Sequence, residues 1–149
     1  MHKPRRFALS RVTVLLAFAL LASAGQALLA SGAAQNHAER FAWVSGLVGA
    51  GYGACFSLVP IVISVVWGVE NFGTNWGVVA MVPAGGAAVW GVVYSAVYQG
   101  AAGDAGLCYG EACYAPTFWG MVASVWVAMV LWLWAWRGPG GWARRGIAV

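Results

Sequence analysis

Acid is what this chain has least of. Four of its 149 residues are Asp or Glu, two are His, and charged side chains make up 8% of the whole. Acid/base pairs, metal centres and intramembrane proton relays are assembled from such side chains. Here they fall outside the long apolar runs, so those runs cannot assemble chemistry of this kind. The expectation is a protein that is not an enzyme, with no metal and no cofactor. Segments of about ten alternating residues are missing too, which excludes a transmembrane β-barrel. So is any Asn-x-Ser/Thr sequon, so glycosylation gives no guide to compartment.

What is present is apolar: hydrophobic residues make up 62% and mean hydropathy is +0.75, far from the soluble range. A helix rising about 1.5 Å per residue needs roughly 20 apolar residues to cross hydrocarbon. Four runs meet that length: 12–30, 41–68, 74–98 and 117–136. The fold class expected is all-α, a polytopic membrane protein with a basic segment at 1–11 and a tail at 137–149. In the first run, basic residues followed by Ala22-Ser23-Ala24 look like a cleavable signal, yet the apolar run resumes as Ala27-Leu28-Leu29-Ala30, long enough to stay as a span.

Basic residues near span ends are retained in the cytosol. Lys3, Arg5, Arg6 and Arg11 precede the first run, Arg137, Arg144 and Arg145 follow the last, and Arg40 alone falls in an outer loop. Both termini are therefore expected to be cytosolic. Glu39, Asp104 and Glu111 then face outward and Glu70 faces the cytosol. The net charge of +4 reflects this topology, with anionic lipid and not nucleic acid as its counterpart. Trp43 and Trp119 fall at outer ends, and Trp67, Trp76, Trp134, Trp136 and Trp142 at inner ones. Trp90 and Trp126 lie nearer mid-membrane, where packing between helices is expected.

Cys55, inside the second run, reads as a small packing residue. Cys108 and Cys113 share a Gly/Ala-rich outer loop, where a loop-closing disulfide can persist. Metal binding there would have only Asp104 and Glu111 as further ligands.

Small residues recur along the second run (Gly46, Gly49, Gly53, Ser57, Ser64) and the third (Ala80, Ala84, Ala88, Gly91, Ser95), so these faces are expected to meet other helices closely. Pro60 and the stretch Pro83-Ala84-Gly85-Gly86 should kink their spans near mid-depth and are hinge candidates; such breaks serve packing or gating alike. Gln26, Tyr52, Ser57 and Tyr94 are candidates to line a hydrated path, with satisfied interhelical hydrogen bonds as the alternative.

The series GYGACFSLVPIVISVVWGVENFGTNWGVVAMVPAGGAAVWGVVYSAVY resembles the last third of fungal major facilitator transporters of the nodulin-like, monocarboxylate-permease-like branch, and WGVENFGTNWG is its most specific part. The resemblance covers nearly the whole chain. It implies a partial C-terminal lobe of a twelve-span fold with both ends cytosolic, solute transport by alternating access, and a vacuolar or other internal membrane. KPRRFALSR then looks like the end of the basic loop entering the ninth span, and GWARRGIAV like the family's C-terminus. Glu70 would lie in the cytosolic loop between the tenth and eleventh spans, with Gly73 and Gly77 letting the backbone turn. Its carboxylate would act as a gate or clamp, or as a helix-cap acid, with Asn71 and Asn75 adding cap bonds. About eight upstream spans are absent, and transport needs two lobes around a cavity. This chain alone is therefore not expected to transport; its partners would be the lipid bilayer, the missing helices and an undetermined small solute. The second reading is a small four-span membrane scaffold or assembly protein.

Overall fold

The computed structural model describes residues 10–103, 106–147 and 149; Lys3, Arg5, Arg6 and Asp104 lie outside them. Four long helices follow one another: α1 (Arg11–Ala30), α2 (Ala38–Trp67), α3 (Phe72–Ala102) and α4 (Ala115–Arg137). Single 3-10 turns stand at Val69–Asn71, Glu111–Cys113 and Trp142–Arg145. All four helices are long and apolar enough to cross a membrane, and the protein is an all-α, multi-pass integral membrane protein. The helices overrun the apolar runs, because a helix keeps its own hydrogen bonds beyond the hydrocarbon: α2 starts at Ala38 and α3 ends at Ala102.

Helix ends follow from local sequence. α1 stops where Gly32 takes φ +70, with the Ser31 N–H donating to Ala27 O at 2.9 Å. α4 opens with Pro116 in its first turn, where a missing N–H costs nothing. It stops at Gly138 and Pro139.

α1 is the centre of the bundle and packs along both α2 and α4, whereas α3 buries none of its residues. Near one end, Val12 of α1, Val62 of α2 and Val149 of the tail form a buried cluster under Leu16, Val66, Trp132 and Trp136. Near the other, the Tyr114 hydroxyl donates to Gln35 Oε1 at 3.4 Å, tying the α3–α4 loop to the α1–α2 turn. The helices therefore run up and down, with Ser10 and Val149 meeting on one side.

Close contact is made through glycines other than the expected ones. A Cβ on Gly51 would run into Ala22 Cβ and lie 2.8 Å from Phe18 O, and one on Gly25 would come 3.0 Å from Leu47 Cβ. Gly46, Gly49, Gly53 and Gly91 face open space. Helix rotation explains the difference: Gly51 and Gly53 lie about 200° apart around a helix, so the face carrying Gly51 meets α1 and the repeating small face points away. Trp90 packs on Gly120, where a Cβ would stand 2.7 Å from its ring, but Trp126 is 57% exposed on α4. Pro60 and Pro83 each forfeit one backbone donor, yet both lie inside unbroken helices.

Candidate functional site

The elbow between α2 and α3 is a single residue followed by one 3-10 turn. Gly68 takes φ +80, ψ +157, and the next helix starts at Phe72, whose N–H donates to Val69 O. The turn expected at Gly73 and Gly77 is therefore made at Gly68; Gly73 and Gly77 sit inside α3. Only Gly68 of the three needs the left-handed region that a Cβ disfavours.

The polar residues of the elbow also act differently from expectation. Asn71 Nδ2 donates to Trp67 O at 3.3 Å and Asn75 Nδ2 donates to Asn71 O at 2.9 Å. Both amides thus serve carbonyls four residues back and neither caps the N–H groups opening α3. The chain is already helical at Val69–Asn71, so those carbonyls lie within reach of the side chains. Glu70 is exposed, makes no cap bond, and has no ion pair among the described residues. It is a bare carboxylate on the bend, and among the described residues nothing closes a clamp on it.

Aromatic pairs brace the elbow: Trp67, Trp76 and Trp142 were expected at inner ends, but not their pairing with one another or with Phe56 and Phe72. Phe72 stacks on Trp76 with centroids 6.3 Å apart and planes at 7°, and Trp76 meets Phe56 of α2 edge-on at 6.3 Å. Trp67 meets Trp142 of the tail edge-on at 6.4 Å. The signal was available as aromatics four residues apart, at Tyr52/Phe56 and Phe72/Trp76, where side chains stack on one helix face.

Above the elbow, α2 and α3 leave an apolar cleft of about 90 Å³ floored by Cys55, Phe56, Val59, Trp76 and Pro83. Cys55 and Val59 also wall a second cavity, of about 190 Å³, against Leu15, Met129 and Trp132. Of the hinge candidates, Pro83 lines the cleft, and a Cβ on Gly85 or Gly86 would meet nothing within 4 Å.

The path candidates do not converge. Gln26 faces a groove of about 300 Å³ with Ser45, Phe41 and Met121, and its buried Oε1 has no hydrogen-bond partner. Tyr52 and Tyr94 are 61% and 42% exposed on the outside of α2 and α3, and Ser57 Oγ donates to Gly53 O of its own helix at 2.9 Å.

At the far end, Cys108 and Cys113 are joined by a disulfide across a Cα separation of 5.8 Å, and the Cys108 N–H donates to the Tyr98 hydroxyl at 3.3 Å. Cys55 is free. No group of three His, Cys, Asp or Glu that could hold a metal ion occurs among the described residues.

No family model and no solved structure matches the chain. It is similar to curated fungal proteins: 62% identical to "Probable transporter mch1" of Neurospora crassa, over 97% of this chain and 26% of that protein. It is 54% identical to "Probable transporter MCH1" of Gibberella zeae, over 97% of this chain and 27% of the other. A more distant relative of the same description, from Yarrowia lipolytica, is 32% identical over 93% of this chain and 29% of its own length. The family resemblance carried by the residues is thus borne out: along nearly its whole length the chain is a homologue of fungal proteins described as probable transporter MCH1, of which it spans about a quarter.

Proposed function

We propose that this chain supplies the last four spans of a solute transporter working by alternating access, as part of the C-terminal lobe of a major facilitator fold. The observation that carries the proposal is the 62% identity, across 97% of the chain, to a protein described as "Probable transporter mch1". Packing supports it. α3 buries nothing, and the small-residue faces of α2 and α3 open outward, as expected of helices whose partners belong to a longer protein. In this reading the Gly68 elbow, Glu70 and both chain ends face the cytosol, and the loop holding Cys108 and Cys113 faces the lumen of a vacuole or another internal compartment. Glu70 then meets its partners on the missing helices, and the α2–α3 cleft with Pro83 gives the helices room to move. Transport also accounts for a membrane domain without acid/base pairs, which disfavours an enzyme.

The same open faces favour a second reading, a four-span scaffold that binds other membrane helices. A chimera separates the two: the matching quarter of the Neurospora relative is replaced by this chain, and flux of small solutes, short monocarboxylates first, is measured in vesicles. The transporter reading expects the flux of the parent to be retained. A chimera that reaches the membrane at parental levels but is inert, beside an active parent, overturns it.

A further inference from the structure

The tail after α4 folds back onto the bundle. Gly138, Pro139 and Gly140 turn the chain back, with the Gly141 N–H donating to Gly138 O at 2.9 Å and Gly140 at φ +78. Gly141 is buried so tightly that a Cβ would stand 2.7 Å from Trp136 O. The returning turn, Trp142–Arg145, is anchored by Trp142. That ring is wedged edge-on between Trp132 of α4 and Trp67 of α2, at 5.8 and 6.4 Å. Beyond it, Val149 is buried beside Val12 and Val62, and its carbonyl oxygen accepts a bond from the Ser10 hydroxyl.

This fold-back returns the turn carrying Arg144 and Arg145 toward α4, whose last residue is Arg137. Between α4 and the turn lies an open cavity of about 250 Å³, walled by Trp134, Pro139, Gly140, Trp142 and Arg145. The Arg145 guanidinium reaches back over Gly140, 3.8 Å from where a Cβ would stand. Arg137 lies 4.3 Å over the Trp136 ring, and Trp134 is 65% exposed beside the cavity mouth. Among the described residues none of the three arginines has an acidic partner.

We propose that this cavity is a binding site for the headgroup of an anionic phospholipid. The planar guanidinium fork suits a phosphodiester better than a point charge does. An exposed indole at a helix end marks headgroup depth. A free phosphate would meet Arg145 but leave Trp134 without a purpose; an anionic phospholipid, its acyl chain running down α4 past Trp134, uses both. The site goes beyond the transport reading and does not require it, although the cytosolic placement above would set it in the leaflet richest in anionic lipid.

The test uses the purified full chain in detergent, titrated with phosphatidylserine or phosphatidylcholine and followed by native mass spectrometry. Wild type should prefer phosphatidylserine. Each arginine near a charged surface is worth about a fivefold change in affinity. Arg144→Gln with Arg145→Gln should therefore weaken phosphatidylserine binding about 25-fold, with phosphatidylcholine unaffected. Arg145→Lys, which keeps the charge and loses the fork, should fall between, and Arg40→Gln at the opposite end should match wild type. Circular dichroism confirms that each variant is folded. The proposal is overturned if the folded double variant keeps the wild-type preference, or if millimolar inorganic phosphate displaces the lipid, which would make this a simple anion site.

Discussion

Trp142 of the tail meets Trp67, the last residue of α2, edge to face with ring centroids 6.4 Å apart and planes at 75°. The residue after Trp67 is Gly68, the left-handed pivot of the α2–α3 elbow. The tail is therefore packed against the hinge side of α2, and any swing of α2 relative to α4 must break or carry the Trp142 contacts. An edge-to-face aromatic pair is worth about 0.5–1.5 kcal/mol beyond its buried area, and Trp142 makes two.

Trp142→Ala should release the tail. Loss of two pairs shifts its opening equilibrium by about 1–3 kcal/mol, or roughly five- to 150-fold. Trypsin cleavage after Arg144 and Arg145 in detergent micelles should then be faster by at least about fivefold, with helix content unchanged. Cleavage at the wild-type rate would mean that the tail is held by Val149 and Ile147 alone.

The α1–α2 crossing gives a paired prediction. Gly51→Ala pushes a methyl into Ala22 and Phe18 O, and overpacking of this kind costs about 1–3 kcal/mol. Gly49→Ala and Gly53→Ala add a methyl in open space and should stay within about 0.5 kcal/mol. Denaturant unfolding in micelles ranks the three. If Gly53→Ala is the most damaging, the helix faces are assigned the wrong way round.

How far these features could be read from sequence depends on which interaction sets them. The four helices were legible because hydrocarbon thickness imposes an apolar run on each, and no other segment is as long. Gly68 was not. WGVENFGTNWG holds three glycines, and composition cannot tell which of them takes positive φ; the structure selects the one at the end of α2. The packing face was missed for a related reason. A repeat of small residues fixes a face of the helix and not the neighbour it meets, so the stripe at Gly46, Gly49 and Gly53 drew notice while the contact fell on Gly25 and Gly51. The tail was expected to be cytosolic, with Trp142 at an inner end, but its docking was not legible, because it depends on Trp67 and Trp132 arriving from two distant segments.

Topology can be tested through the cysteines. After reduction, a membrane-impermeant thiol reagent applied from the lumenal or outer side should label Cys108 and Cys113 and leave Cys55, which lies within α2, untouched. Without reduction the two loop thiols should stay unlabelled. Labelling of the loop from the cytosolic side would invert the orientation drawn from the arginines.

Glu70 and Gly68, two residues apart on the elbow, should respond to substitution in opposite ways. Gly68→Ala forces a Cβ into φ +80, ψ +157, a conformation costing about 1–2 kcal/mol or more for an L-residue, and should lower the unfolding midpoint of this chain. Glu70 is exposed and makes no cap bond or described ion pair, so Glu70→Gln should leave that midpoint unchanged. A role for the carboxylate therefore has to come from groups outside these four helices, where its charge would favour one conformational state over another. In a full-length relative carrying this segment, Glu70→Gln should insert at normal levels yet change the labelling rate of cysteines placed at Asn71 and Asn75 from the cytosolic side. The two positions report different things, since the Asn75 amide bonds to Asn71 O and Asn71 bonds to Trp67 O. A change at both would mean that the whole bend moves, and a change at Asn71 alone would mean that only its link to α2 opens. If neither rate changes and solute flux is also unaltered, Glu70 is a surface charge on a bend that Gly68 makes by itself.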